Sequence, residues 1–278
     1  MLFLISRTNI NRVAGLYVTG DPKLPMTGLL IASAGNNLKL DGAQIVNNAT
    51  GNTGSNTGSN TGNTSQTTLQ AGHDISLGTV NISEQNNITW NSKNHLNQGS
   101  SLESGSSITS NGNIAINAGH DANLKAATVT SGNTSSNTSS ERSASNTGGA
   151  LTISAANNIN LSTGQSTHNL DSAHQVKSKG FLSSTTRTSR DTINSTDSIG
   201  SSLSADSITL NAGLPSPAGG RGVGGEGQTG NINVQGSNVV ATNDTNLNAG
   251  NNTNITAAQN TLDETHFKDV KKSRFVYR

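Results

Sequence analysis

The residues of this sequence that could do chemistry are two His-Asp pairs, His73-Asp74 and His120-Asp121. A histidine beside a carboxylate can bind a metal ion or exchange protons with a substrate. The same motif holds Asn157-Asn158 elsewhere, and residues that exchange with asparagine favour a turn in which the side chain bonds local backbone. The two motifs start 47 residues apart (71 to 118), so we expect other coils to intervene. No catalytic residue and no metal ligand is therefore predicted.

A glycine-rich stretch, Gly222–Gly227, satisfies the G-x-G-x-x-G pattern of dinucleotide-binding loops. That pattern binds a pyrophosphate only between a strand and the N-terminus of a helix. Here a strand pattern begins again at Gly230, which favours a flexible loop. The sequence also lacks a Walker sequence, a nucleophile elbow and calcium-binding repeats. We therefore predict no cofactor and no enzymatic activity.

Both His-Asp pairs lie in a recurring segment that reads Ala-Gly, two turn residues and then alternating aliphatic residues. With small variations the segment starts at Ala34, Ala71, Ala118, Ala155, Ala212 and Ala249. Successive starts are 37, 47, 37, 57 and 37 residues apart. A spacing that returns with longer gaps between predicts stacked repeats with insertions.

Composition favours an elongated fold with a thin core. Hydrophobic residues make up 30% of the 278 residues, charged residues 12%, and the net charge is +1. This balance argues against a nucleic-acid partner, which would require a basic face. The chain has no cysteine, which is compatible with export to an oxidising compartment. The apolar run at Met1–Arg7 is too short for a signal peptide, so none is predicted.

Short aliphatic alternations such as Ile114-x-Ile116 and Ile159-x-Leu161 predict β-strands. A coil of about 20 residues with two or three such strands is one rung of a parallel β-helix. We predict that two rungs make the 37-residue unit, and that repeated Asn and Thr side chains form ladders on successive rungs. The predicted class is all-β, a β-helical solenoid with low-complexity loop insertions.

The insertions are predicted as flexible loops because they cannot bury apolar surface. They span residues 47–68, 131–147, 168–202 and 214–229, and residues 262–278 are predicted to be an irregular basic tail. The tail contains Lys268, Lys271, Lys272, Arg274 and Arg278. These residues could contact anionic glycans or lipid, but a solvated charged terminus is the favoured interpretation.

Several segments resemble the haemagglutinin repeats of filamentous haemagglutinin-like exoproteins. The clearest are Gly230–Val240, then Ile255–Thr261, and the residues His266-Phe267 and Lys271-Lys272-Ser273. The resemblance covers most of the chain and implies that residues 1–278 are a single haemagglutinin-repeat segment with a right-handed β-helix. Compared with that family the chain lacks a signal peptide, a secretion domain and an effector domain, so we expect a fragment of a larger protein.

The resemblance implies a structural or adhesive segment of a large secreted protein on the surface of a Gram-negative bacterium. Its partners would be receptors or glycans of host or neighbouring cells, without nucleic acid, and the parent would use an outer-membrane two-partner secretion transporter. The alternative is a delivery segment of a contact-dependent growth inhibition toxin. A β-helical polysaccharide lyase is disfavoured, because Asp, Lys and Arg are too sparse in the rungs to cluster on one face.

Overall fold

The computed structural model describes residues 3–10, 12–19, 28–49, 65–132, 149–213 and 229–274. Every helix or strand in these ranges is a β-strand, which confirms the all-β class. Most strands belong to three parallel sheets, named S1, S2 and S3, which the chain visits repeatedly in that order. This arrangement is consistent with a parallel β-helix.

Each parallel sheet takes one strand from each successive turn of the chain. Sheet S1 contains β3 (Leu29–Ala34), β6 (Gln66–Ala71), β10 (Asn113–Ala118), β13 (Ala150–Ala155), β18 (Ser207–Ala212) and β21 (Thr245–Ala249). Sheet S2 contains β4 (Leu38–Asp41), the start of β7 (Ile75–Asn91), β11 (Ala122–Lys125), β14 (Ile159–Ser162), β19 (Ile232–Gln235) and β22 (Thr253–Thr256). Sheet S3 contains β2 (Gly15–Val18), β5 (Gln44–Asn47), β9 (Ser107–Ser110), β12 (Thr128–Ser131), β17 (Ser202–Ala205) and β20 (Asn238–Ala241).

A fourth sheet, the hairpin sheet, is antiparallel throughout. It contains β1 (Phe3–Asn9), the rest of β7, β8 (Asn94–Gly105), β15 (Gly164–Gly180), β16 (Ser183–Ile199) and β23 (Thr261–Arg274), paired in that order. The strands β7 and β8 form the first hairpin, and β15 and β16 form the second.

One coil through the three parallel sheets is about as long as predicted: Ile108 pairs with Val129, 21 residues further on. The prediction that two rungs make the 37-residue unit is wrong. Ile114 pairs directly with Leu151, so 37 residues span one coil. Of these, the 16 residues 133–148 lie outside the described ranges, and the other 21 form the coil. The 37-residue spacing recurs between Ala34 and Ala71 and between Ala212 and Ala249. Residues 50–64 and 214–228 lie within these two coils and are nearly as many as residues 133–148.

The core is a narrow column of aliphatic side chains inside the coils. Along β10 and β13 buried and partly exposed residues alternate, as expected when one face of a sheet is covered. Leu69, Ile116, Ile153 and Leu210 stand in register on four successive S1 strands, and all are fully buried. Each such side chain contributes about 1.5–3 kcal/mol by leaving water. A few aliphatic residues per coil therefore suffice, which explains the low hydrophobic content.

Amide ladders cover the outside of sheet S2, as predicted for the repeated asparagines. The side-chain amide of Asn160 donates to Asn123, Asn233 donates to Asn160, and Asn254 donates to Asn233, each at 2.8 Å. Each ladder residue sits on the next strand of the sheet. The ladders therefore hold adjacent coils in register.

Two of the long segments that were predicted to lack structure are strands. Residues 168–202, predicted as a flexible loop, form most of the second hairpin, and residues 262–274 of the predicted basic tail lie in β23. Low hydrophobicity did not prevent pairing, because backbone hydrogen bonds and β-favouring Thr residues suffice when neighbouring strands are already in place. Of the other predicted loops, residues 50–64, 133–147 and 214–228 lie outside the described ranges, whereas Asn47, residues 66–68 and Ser131 lie in β5, β6 and β12.

The two hairpins arise from alternate coils. Between them the coil of β10, β11 and β12 passes from S2 to S3 through a tight corner at Ala126. Paired strands lie about 4.8 Å apart in the hairpin sheet and in the coil stack alike. A two-stranded hairpin thus has the width of two coils, and a hairpin on every second coil gives a continuous sheet.

The tight corners of the coils without a hairpin require a left-handed backbone. Gly42 and Gly236 have φ of 55° and 52°, and Ala126 takes the same place with φ of 47°. Glycine adopts this conformation without strain, whereas a side chain with a Cβ does not. Ala126 is therefore a strained position in an otherwise regular stack.

Candidate functional site

The hairpin sheet is the most exposed regular part of the molecule. None of the residues of β8, β16 or β23 is buried, so the sheet is open to solvent on both faces. One row of hydroxyl side chains crosses it in register, formed by Ser83, Ser101, Thr167, Thr196 and Thr261. In this row the hydroxyls of Ser101 and Thr167 lie 2.6 Å apart and join the two hairpins. Backbone pairing and such rows hold together a sheet that has no core of its own.

A buried serine closes the coil where each hairpin returns. The hydroxyl of Ser201 accepts the N–H of Ala127 at 3.1 Å and lies 3.0 Å and 3.1 Å from the carbonyl oxygens of Leu124 and Ser162. It supplies the acceptor for the N–H of Ala127 where the second hairpin departs, and it donates to one of the two carbonyl oxygens. Ser106 makes the equivalent contacts beside the first hairpin. Each serine follows a glycine at the end of a hairpin, in the sequences Gly-Ser-Ser-Ile and Gly-Ser-Ser-Leu.

Glu103 ties both hairpins to the coil between them. Its carboxylate lies 2.6 Å from Nζ of Lys125, accepts the N–H of Gln165 at 2.8 Å and accepts the hydroxyl of Thr79 at 3.3 Å. Burial acts to raise the pKa of Glu103, but the hydrogen bonds from Lys125 and Gln165 outweigh it. The pKa of Glu103 consequently lies below its ordinary value.

Four cations lie together on one face of the outer half of the hairpin sheet. This basic face consists of Arg187, Lys268, Lys272 and Arg274. In the register of β16 and β23, Arg187 is opposite Val270, and residues two apart along a strand share a face. None of the four makes an ion pair with another described residue. Val176 and Val270, both about half exposed, flank Arg187 on this face.

The opposite face of the same strands is less free to bind anions. There Lys271 lies 3.7 Å from Asp269, and Arg190 lies 3.3 Å from Asp171. Arg278, assigned with these cations to a basic tail, lies outside the described residues. Of the tail residues, Lys268, Lys272 and Arg274 belong to the basic face. The basic face was not predicted from the sequence, because its fourth residue, Arg187, comes from a segment predicted as a loop.

The hairpin ends carry exposed apolar side chains. Phe181 and Leu182 form the turn of the second hairpin, and Phe181 is fully exposed. Trp90, near the end of the first hairpin, is about half exposed. In the part of the chain that the structure describes, no helix is long and apolar enough to cross a membrane.

The His-Asp pairs lie at the corner between S1 and S2. Here a ladder runs through Asn37, Asp74, Asp121, Asn158, Asn231 and Asn252 on successive coils. At each step a side-chain oxygen accepts the backbone N–H of the next ladder residue, at 2.9–3.1 Å. These side chains bond backbone groups, as the turn interpretation predicted. The backbone that they bond, however, belongs to the neighbouring coil and not to their own turn.

The expectation that other coils separate the two His-Asp pairs is wrong. His73 and His120 lie on adjacent coils, with ring centroids 4.6 Å apart and planes inclined by 14°. The 47-residue spacing of the motifs gave the wrong expectation because it includes the first hairpin, which is inserted between the two motifs and is not part of a coil.

Asp74 is the centre of this corner. Its two carboxylate oxygens lie 3.0 Å from Nδ1 of His73 and 3.2 Å from Nδ1 of His120. Burial acts to raise the pKa of Asp74, but hydrogen bonds from the N–H of Asp121 and from both histidines outweigh it, so the pKa lies below its ordinary value. The glycine-rich stretch Gly222–Gly227 lies outside the described residues.

Comparison with known families identifies part of this architecture. Residues 182–273 match the family model of the hemagglutinin repeat, so the chain contains a hemagglutinin-repeat region there. No curated protein and no solved structure is detectably similar to the chain.

The matched region coincides with a structural unit that runs from one hairpin end to the next. It contains β16 to β23, in the order hairpin, S3, S1, S2, S3, S1, S2, hairpin. Residues 94–180 repeat this order in β8 to β15. Residues 3–91 repeat it in β1 to β7, where β7 serves both S2 and the hairpin sheet. The described chain is therefore three copies of one unit, although the family model matches only the third.

Proposed function

We propose that the chain is a structural and adhesive segment of a large secreted protein of the filamentous haemagglutinin type on the surface of a bacterium. In this proposal the coils form a right-handed β-helix without catalytic activity, and the parent leaves the cell through an outer-membrane two-partner secretion transporter. No feature of the described residues favours the alternative, a toxin-delivery segment. Genes for an effector and its immunity protein directly downstream would favour it.

The observation that carries the proposal is the threefold repetition of one unit. Each added unit extends the coil stack by two coils, which is about 9.6 Å, and widens the hairpin sheet by two strands. Such a stack grows in length without forming a new internal cavity, since each coil contacts only its neighbours. This is the behaviour of a spacer that holds a binding surface away from the cell. The hemagglutinin repeat in residues 182–273 supports the same interpretation.

The surface proposed for adhesion is the basic face, and its proposed partners are anionic glycans of host or neighbouring cells. Arg187 and Arg274 offer planar guanidinium groups that bind carboxylate or sulfate through paired hydrogen bonds. Because the four cations lack carboxylate partners among the described residues, a glycan does not have to displace an internal ion pair. The exposed Val176 and Val270 supply apolar contact for the sugar ring.

Binding of the purified chain to intact cells and to sulfated or uronic-acid glycans tests the proposal. The informative variant replaces all four basic-face cations with Gln, and its expected affinity is at least about tenfold lower at physiological salt. A matched control removes four positive charges elsewhere on the hairpin sheet, from Lys93, Lys177, Lys179 and Lys271. The control is expected to stay within about threefold of the parent chain.

Three outcomes would contradict glycan adhesion through this face. The first is equal loss of binding in the two variants, which would indicate a dependence on net charge alone. The second is equally tight binding of duplex DNA, which would indicate attraction to any polyanion. The third is the absence of binding at high concentration, which would leave the chain as a spacer only.

A further inference from the structure

The geometry points to a binding site for a divalent transition-metal ion of the zinc class at the corner between S1 and S2. The proposed ligands are His73, Asp74 and His120, whose ligand atoms all lie within 4.8 Å of one another. The ion would join two adjacent coils, because His73 and Asp74 precede β7 whereas His120 precedes β11. This site is separate from the basic face and does not depend on the adhesive function proposed above.

The donor atoms suit zinc better than calcium. Imidazole nitrogen and carboxylate oxygen are the usual ligands of Zn²⁺, whereas Ca²⁺ requires six to eight oxygen atoms. Ligands on a tetrahedral Zn²⁺ at 2.0–2.1 Å stand about 3.3 Å apart. Nδ1 of His73 lies 3.0 Å from Oδ2 of Asp74, and Nδ1 of His120 lies 3.2 Å from Oδ1, so each histidine is already at about this distance from one carboxylate oxygen.

The charge of the ladder supplies an independent argument. Asn37, Asn158, Asn231 and Asn252 make the ladder hydrogen bond without a charge, whereas Asp74 and Asp121 place two carboxylates on adjacent coils. Like charges at the spacing of adjacent strands repel each other. The two carboxylates are also the two ladder residues that follow histidines. A divalent ion bound by Asp74 and the two imidazoles would offset this repulsion.

One local movement is required for binding. A metal ion must lie in the plane of each imidazole that it binds, and the two nearly parallel rings cannot both satisfy this where they stand. The His73 side chain is 52% exposed and can turn about its χ angles without disturbing the core. Asp121 stays in the ladder through its Oδ1, which accepts bonds from Asn157 and Asn158, but its Oδ2 lies 3.2 Å from Nδ1 of His120 and gives up this contact when that nitrogen binds the ion. Water then completes the coordination.

The repeat itself provides the variants that test this site. His73→Asn, His120→Asn and Asp74→Asn each introduce the residue that stands at the same corner position on neighbouring coils, at Asn36, Asn157 and Asn37. These changes therefore preserve the ladder and the fold. His174→Asn is the control, since His174 is an exposed histidine of the hairpin sheet far from this corner.

The experiment is a calorimetric titration of the full chain with zinc chloride, paired with thermal unfolding with and without the ion. One site per chain is expected, and each of the three variants should weaken binding by at least about tenfold and abolish the rise in unfolding temperature. The His174→Asn chain should bind like the parent, and calcium chloride should give no shift. Absence of a zinc-dependent shift in the parent chain would overturn the proposal. So would undiminished binding in the His73→Asn and His120→Asn chains.

Discussion

Replacing Ser201 with Ala is expected to destabilise the coil stack strongly for so small a change. The substitution removes one hydroxyl from a fully buried position and leaves the N–H of Ala127 without an acceptor. An unsatisfied buried backbone group costs about 1–3 kcal/mol. The substitution also removes the hydrogen bond that the hydroxyl donates to the carbonyl oxygen of Leu124 or Ser162, which adds about 1 kcal/mol. We therefore expect the free energy of unfolding to fall by about 2–4 kcal/mol.

Urea unfolding followed by far-ultraviolet circular dichroism measures this loss, with Ser202→Ala as the control. Ser202 is the next residue, points to the opposite side and is only partly buried, so its change should stay within about 0.5 kcal/mol. Ser106→Ala should resemble Ser201→Ala, and the double variant should lose about the sum, because the two corners are two coils apart. Equal midpoints for Ser201→Ala and Ser202→Ala would refute the role given to the buried hydroxyl.

Three further changes test other parts of the stack. Ala126→Gly relieves a left-handed backbone and should raise the free energy of unfolding by about 0.5–1 kcal/mol, and a lower thermal midpoint would contradict the strain. Asn160→Ala breaks two 2.8 Å amide bonds and should cost about 1–2 kcal/mol in urea unfolding, so an unchanged midpoint would show that the ladder contributes nothing. The lowered pKa of Glu103 stabilises the fold above the ordinary Glu pKa of 4.5, and this contribution is lost as the pH falls through the lower folded-state value. Glu103→Gln should therefore unfold more easily at neutral pH and lose less stability on acidification to about pH 3, and parallel pH profiles would argue against it.

The coil could be predicted from the sequence because its signal is local. Aliphatic residues at alternate positions, as in Ile114-x-Ile116, lie on the covered face of a sheet, and Gly or Asn residues mark the corners. The predicted number of coils in the 37-residue unit was wrong, because strands of all three sheets share this pattern. Nothing in the spacing alone separates one coil with an insertion of 16 residues from two coils.

The hairpin sheet could not be predicted in the same way, because its strands have no covered face. Segments such as Ser183–Ile199 show Ser and Thr on both faces, and their pairing depends on strands that are distant in the sequence. The Gly-Ser-Ser-aliphatic sequences at Gly105 and Gly200, where the hairpins return, are no local signal either, because the same pattern occurs at Gly99 within β8. The basic face and the stacked histidines depend on the same long-range pairing, since each joins residues from two segments.

The hairpins from alternate coils pair directly with each other, and a cysteine cross-link tests this pairing most directly. The chain has no cysteine, so the double variant Ser101→Cys and Thr167→Cys contains the only two thiols. These residues are in register on the same face of β8 and β15, within reach of a disulfide. We predict an intramolecular disulfide under mild oxidation for this pair. The control pair at Ser100 and Thr167 should keep free thiols, because the two side chains face opposite sides. Free thiols in both variants, or equal cross-linking in both, would contradict the three-unit architecture.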